Sequence, residues 1–320
     1  MTISRCRQVC LDQTPFYHCV SRCVRRAFLC GFDGYSGKSY EHRRGWVEAL
    51  LLKLSEAFCI ELVGYAVMAN HYHVILKVTP DVASSMSAYE VIDRWAQLYT
   101  LSPLVSRYRG GEALSEAETA WVDARIAHWR EQLMNLSRYM GYLNEKIARD
   151  ANKEDGCTGR FWEGRFTSQA LLDDTAVIRC MAYVDLNPVR AGVAMTPEAS
   201  EYTSLKHRLD HKINDLVPFI SSGRKNPTTV EPLPITFGDY LDLVDWTGRM
   251  MRPDKTGSIP EPYPPILDRL GTSHAQWMRA MTPPKGWTQR ALGSTDRIKA
   301  YCHAIGQRWL WQRPALRTAT

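Results

Sequence analysis

The stretch over residues 61–78, Glu-Leu-Val-Gly-Tyr-Ala-Val-Met-Ala-Asn-His-Tyr-His-Val-Ile-Leu-Lys-Val, restricts the fold more than any other part of the chain. Two runs rich in apolar, aromatic and β-branched residues, 62–68 and 72–78, flank a tight turn at Met68-Ala-Asn70. That pattern predicts two adjacent strands. Side chains on a strand alternate between faces, so His71 and His73 project from the same face while Tyr72 and Val74 point into a core. Two imidazoles set side by side can chelate a divalent metal. The bare pair reads equally well as two half-buried polar residues on a sheet face.

The neighbouring segments place this hairpin in a larger sheet. Residues 15–21 read as a strand, followed by Arg22, Arg25 and Arg26. Residues 41–58 form an amphipathic helix, with Trp46, Leu50, Leu54 and Phe58 at helical spacing. After the hairpin, helices are predicted over 88–99, 116–133 and 135–151, the last with Leu136, Met140, Leu143 and Ile147 on one face. Residues 166–172 read as a strand. Asp173-Asp174-Thr175 is an N-cap cluster for a helix over 176–185, which Pro188 stops near Asn187. The order β-α-β-β-(helices)-β-α predicts an α+β fold of ferredoxin-like (RRM-like) type: an antiparallel sheet with helices on one face. On this reading residues 1–200 are one domain with a helical insertion over about 80–136. Residues 201–320 are a C-terminal extension, entered near a polar, turn-rich linker over 218–234.

The chain of 320 residues has 40 Lys plus Arg against 34 Asp plus Glu, only mildly basic. The excess is concentrated: residues 276–320 carry eight basic residues against the single acid Asp296, a local charge of +7. A polyanionic partner fits such a segment, most simply nucleic acid; a solvated basic tail fits it as well. No apolar run is as long as a membrane span, and the first residues lack the apolar stretch of a secretory signal. Nine scattered cysteines, an odd number, suit free thiols in a reducing cytoplasm.

Tyr183 and Asn187 are four apart on the last predicted helix, so they face the same way. A phenol beside a metal held by paired histidines suggests nucleophilic attack on a phosphodiester. Among the 15 tyrosines, Tyr139, Tyr142 and Tyr183 are each candidates for that role.

Four motifs occur in order: Phe16-Tyr-His-Cys-Val-Ser-Arg22, Ala66-Val-Met-Ala-Asn-His-Tyr-His-Val-Ile-Leu76, Gly159-Arg-Phe-Trp-Glu-Gly-Arg165 and Ala182-Tyr-Val-Asp-Leu-Asn-Pro-Val-Arg-Ala-Gly192. Together they resemble the signatures of single-tyrosine transposases of the His-hydrophobic-His superfamily, in particular the bacterial REP-associated tyrosine transposases. The resemblance implies that His71, His73 and Asn187 bind Mg²⁺ or Mn²⁺. It implies that Tyr183 attacks single-stranded or hairpin DNA, keeps a 5′-phosphotyrosine and releases a 3′-OH that later rejoins strands. Phosphate contacts are expected from Arg22, Arg25, Arg160, Arg165 and Arg190, and Trp162 is placed to stack on an unpaired base. Such a protein is expected in the bacterial cytoplasm, associated with the nucleoid, with a homodimer left open. The stretch over 80–136 is longer than compact family members need, and residues beyond about 201 fall outside the shared core. Two other readings stand beside this one: a catalytically idle DNA-binding regulator on the same scaffold, and a metal-dependent hydrolase without a covalent step.

Overall fold

The computed structural model describes residues 9–24, 29–34, 36–210, 216–220, 231–251, 266–281, 289–308 and 310. The sheet is built from β1 (Phe16–Arg22), β2 (Ile60–Val67), β3 (His71–Val78), β4 (Thr167–Leu171) and β5 (Ala291–Leu292). Its spatial order is β2-β3-β1-β4-β5. The first four strands run antiparallel to their neighbours, and β5 joins β4 in parallel. The protein is therefore a mixed α+β fold around one mostly antiparallel sheet. The predicted strands are all present within two residues of their expected ends; β5, two residues long, has no periodicity to reveal it.

The helices do not lie on one face as expected. α1 (His42–Ala57) and, from the second half of the insertion onward, α2 (Glu116–Leu133) and α3 (Leu136–Glu154) share a core with Tyr17, Cys19, Tyr72, Val74 and Leu76 of the sheet. α4 (Asp174–Asp185) packs on the opposite face, against Val63, Ala66, Ile75 and Leu171. The physical reason is that β2 and β3 are apolar on both faces over most of their length, so both faces need a cover. β3 is polar at the His71 end, where the second cover stops short of being dry, and again at Lys77, whose buried ammonium donates to the Glu231 carbonyl at 3.0 Å.

Local chemistry explains the helices. α1 buries Leu54, with Phe58 just beyond its end, as the predicted stripe requires, but nearer its start the buried positions are Val47 and Leu51, while Trp46 and Leu50 sit half-buried on its flank. Arg43 on α1 is buried and donates to Glu154 and Asp155 at the end of α3, at 2.7 and 2.5 Å, clamping the two helices. α3 buries Leu136, Met140, Leu143 and Ile147, as its spacing requires. α4 starts where Asp173 accepts a hydrogen bond from the Ala176 amide at 2.8 Å, the cap expected from the acidic cluster. It stops at Asp185, and α5 (Asn187–Arg190) follows with Pro188 in its first turn.

The C-terminal segment joins the second core. α6 (Ser204–Asp210), α7 (Phe237–Met250) and α8 (His274–Met281) contribute Leu205, Tyr240, Leu243, Trp277 and Met281. Asp185, at the end of α4, is fully buried and accepts from Ser204 Oγ at 2.6 Å, the Leu205 amide at 3.0 Å and Tyr240 Oη at 2.5 Å. A buried carboxylate with three donors around it is well satisfied, and it fastens α4 to the segment beyond residue 201. Gly64 lets α6 approach: a Cβ there would lie 3.0 Å from Ser204 Oγ. The ends of the expected linker are ordered as a short parallel pair, Phe219–Ile220 with Leu233–Thr236, and residues 221–230 lie outside the described residues. Among the described residues no helix is long and apolar enough to cross a membrane.

Candidate active site

Sheet register sets the site. On β1, His18 is directly opposite Gln169 of β4 and diagonal to His73 of β3, whose own partner is Val20. Arg22, at the end of β1, is opposite His71. All five polar side chains therefore share the face that α4 covers. The rings of His71 and His73 stand 5.0 Å apart, side by side as the i, i+2 spacing predicts. His18 stacks on His73 with ring centroids 5.1 Å apart and 14° between planes.

Each histidine has an orienting partner. Asn70 Oδ1 lies 2.6 Å from His71 Nδ1, and an amide oxygen can only accept, so His71 carries its proton on Nδ1. His73 Nδ1 lies 2.9 Å from His18 Nε2, and His18 Nδ1 lies 3.3 Å from Gln169 Oε1. His73 Nε2 is buried and has no hydrogen-bond partner. An orphaned buried imidazole nitrogen is costly unless something it binds is absent. Burial holds the pKa of His18 down to about 4. His71 is lowered to about 4 by burial and by the charges of Arg22 and Arg190. His73 is pushed well below the usual imidazole range by burial and by His18, His71 and the same two arginines. All three are neutral at pH 7, the state in which an imidazole can bind a cation.

α4 brings Tyr183 to this cluster. Its ring meets His73 edge-on with centroids 5.9 Å apart. Arg190 lies over the Tyr183 ring at 4.1 Å and donates to Tyr183 Oη at 2.9 Å and to Asn187 Oδ1 at 2.8 Å. A third bond, to the Met281 carbonyl at 3.4 Å, ties the guanidinium to α8. The four-residue spacing thus does bring Tyr183 and Asn187 together, with Arg190 as the link. The other tyrosine candidates are elsewhere. Tyr139 is fully buried in the opposite core with its hydroxyl on the Leu51 carbonyl, and Tyr142 donates to the Leu98 carbonyl.

A divalent cation fits part of this arrangement. His71 and His73 offer two neutral imidazoles, one with an unpartnered buried nitrogen. Asn187 is buried; its oxygen accepts from Arg190 and keeps a second lone pair, while its Nδ2 has no partner. Among the described residues no group of three or more His, Cys, Asp and Glu side chains gathers to hold a metal. A cation here would complete its shell with water and phosphate oxygens, as Mg²⁺ does at phosphoryl sites.

The expected DNA contacts are placed unevenly. Arg22 is exposed beside His71. The loop bearing Arg160 and Arg165 is fixed to that same end of β1, where Glu163 N donates to the Arg22 carbonyl at 2.8 Å and Val24 N to the Phe161 carbonyl at 2.9 Å. Arg160 and Arg165 are exposed on it. Trp162 is half-buried against the opposite core, edge-on to Tyr72, with its N–H on the Asn144 carbonyl at 2.8 Å. Arg190 is committed to Tyr183 and Asn187. Arg25 lies outside the described residues. Sequence reasoning missed His18, Gln169 and Asn70. His18 could have been found, because the alternation Phe16, His18, Val20, Arg22 sets it on one face with an arginine.

No family model matches this chain, and no curated protein matches it. Among solved structures, the chain is similar to a REP-associated tyrosine transposase bound to a REP hairpin, at 11% identity and a TM-score of 0.38. That match covers 70% of this chain and 94% of the other.

Proposed function

We propose that this protein is a metal-dependent single-stranded DNA transposase that cuts and rejoins DNA, at hairpins of REP type, through a 5′-phosphotyrosine on Tyr183. The scaffold would be a ferredoxin-like sheet with α4 as the nucleophile helix, and the protein would act in the cytoplasm on chromosomal DNA. The observation that carries this reading is the meeting of Tyr183 with His73, whose buried Nε2 lacks a partner.

His71 and His73, with Asn187, would hold Mg²⁺ or Mn²⁺, which supplies Lewis-acid polarisation of a phosphoryl oxygen when bound. The remaining roles belong to the chain. Tyr183 Oη attacks phosphorus, a new Tyr–O–P bond forms, and the bond from phosphorus to the 3′ oxygen breaks. The 3′ oxygen takes a proton from water and leaves as a hydroxyl, and the energy of the broken ester is retained in the phosphotyrosine. Reversal by a 3′-OH rejoins strands without ATP. A phenol is a weak nucleophile while it keeps its proton, with a reference pKa of about 10. Arg190 donates to Tyr183 Oη, so the phenol's own proton points away from the guanidinium and leaves to water. The fixed positive charge then stabilises the oxygen as it becomes anionic. Arg22, Arg160 and Arg165, at the same end of the sheet, would hold flanking phosphates.

The test is capture of the covalent adduct. Purified protein is incubated with a single-stranded hairpin substrate and Mn²⁺, digested and mapped by mass spectrometry. A nucleotide on Tyr183 is the expected result. An adduct on Tyr139 or Tyr142 would keep the enzyme class and refute the residue, and cleavage without any adduct would favour a plain hydrolase.

A further inference from the structure

We propose that His18 is a positioning residue: with Gln169 and the backbone carbonyl of Gln289 it fixes the tautomer of His73, leaving the His73 Nε2 lone pair free to bind a cation. Gln169 Nε2 donates to the Gln289 carbonyl at 2.8 Å. That bond settles which end of the amide is which, so Gln169 Oε1 is the atom 3.3 Å from His18 Nδ1. An amide oxygen only accepts, so His18 carries a proton on Nδ1. His18 is buried and faces a neutral amide and another imidazole, with no carboxylate to support a charge, so it has one N–H and not two. Its Nε2 is then a lone pair, which must accept from His73 Nδ1 at 2.9 Å. His73 has spent its proton on Nδ1, and its Nε2, buried and unpartnered, is left as an acceptor.

Without this relay a neutral imidazole in water prefers the proton on Nε2, and that would present a donor where a cation must bind. The relay is rigid because its side chains come from three hydrogen-bonded strands, with Gln169 directly opposite His18 and His73 on the diagonal. Its outer end is supplied by the C-terminal segment, two residues before β5, which pairs with β4. Part of the chain beyond residue 201 thereby acts on the site through the backbone, apart from any contact with DNA.

The inference rests on the reading of His73 as a metal ligand, and the experiment separates the two. The full-length protein, ¹⁵N-labelled and metal-free at pH 7, is observed by long-range ¹H–¹⁵N correlation of its histidine side chains, with His73→Gln used to assign. We expect protonated Nδ1 and bare Nε2 for both His18 and His73. In His18→Phe, and separately in Gln169→Leu in case the first variant folds poorly, the His73 proton should move in large part to Nε2. Titration with Mn²⁺ alone should then show affinity about tenfold or more below wild type, the scale on which such outer partners act at metal sites. Thermal unfolding that stays cooperative would show that the loss is not collapse of the sheet. His73 protonated on Nε2 in the wild type would overturn the relay. So would unchanged His73 signals and unchanged Mn²⁺ affinity in both variants. Wild type with the expected tautomers but no Mn²⁺ binding would sink the metal reading and leave the relay standing.

Discussion

The two faces of the sheet are made by the same strands and do opposite things. The face under α1 and α3 takes Tyr17, Cys19, Tyr72, Val74 and Leu76, all at most 1% exposed. The face under α4 takes Ile75 and Leu171 at one end and His18, His71, His73, Gln169 and Arg22 at the other. One core is mostly apolar, its buried Ser21 and the Tyr72 hydroxyl satisfied by Asn144, and the other gathers its polar side chains at the His71 end. Pleating makes this cheap: a strand can satisfy a dry core and a polar site at once, because neighbouring residues never share a face. Even tyrosines divide along that line. Tyr139 is core, with burial pushing its hydroxyl beyond the range where it could ionise usefully, while Tyr183 is half-buried with a guanidinium on its oxygen.

The sharpest way to break this comparison is to remove one hydroxyl on each side. Tyr183→Phe should abolish DNA cleavage and adduct formation while hairpin binding and the unfolding midpoint stay near wild type. Tyr139→Phe should keep cleavage at wild-type rates and cost about 1 kcal/mol, the size of one buried hydrogen bond. Cleavage by the first variant, or its loss in the second, would mean that the faces have been assigned the wrong way round.

Next in size is packing. Leu76→Ala opens a cavity under α1 and should cost about 2–5 kcal/mol in urea unfolding. The folded fraction should still cut DNA, since Leu76 points away from His73. Loss of activity out of proportion to loss of folded protein would show that the dry face controls the site.

A smaller effect is expected with pH. His18 has a folded pKa of about 4, below the unfolded value near 6.5. The unfolded chain therefore binds more protons between those values, and stability falls as pH drops through that window. The contribution of His18 is about 3 kcal/mol as an upper bound, complete by pH 4 and absent above about pH 7. Urea midpoints at several pH values should show a shallower acid slope in His18→Phe than in wild type; equal slopes would place the acid sensitivity elsewhere.

The smallest effect concerns the basic C-terminal segment. Its deletion from residue 276 would be uninformative, because Trp277 is fully buried with its N–H on Thr247 Oγ1 at 2.9 Å, and β5 and Tyr301 belong to the core. Arg297 and Lys299 are exposed, and the double change to alanine spares that packing. If both meet phosphate, the salt slope of hairpin binding should fall by about 1.4, on the single-strand scale of about 0.7 per contact. An unchanged slope would assign the charge another purpose.

Much of this protein is legible in its sequence, and the reason is physical. Period-2 and period-3.6 patterns record which residues face a core, so the four main strands and α1, α3 and α4 emerge within a few residues. The pairing of His71 with His73, and of Tyr183 with Asn187, is local geometry, fixed by the strand and helix repeats themselves. What joins those two pairs is not local. That α4 covers the histidine face, and that Tyr183 and not Tyr139 or Tyr142 meets His73, depend on how elements more than a hundred residues apart stack, whereas Arg190 reaches Tyr183 and Asn187 within its own stretch of chain. His18, Gln169 and Gln289 come together only through strand register, which no short window of sequence contains. The two-residue strand β5 and the buried Trp277 are set by partners already in place, so the C-terminal segment acquires its structure from the sheet it completes.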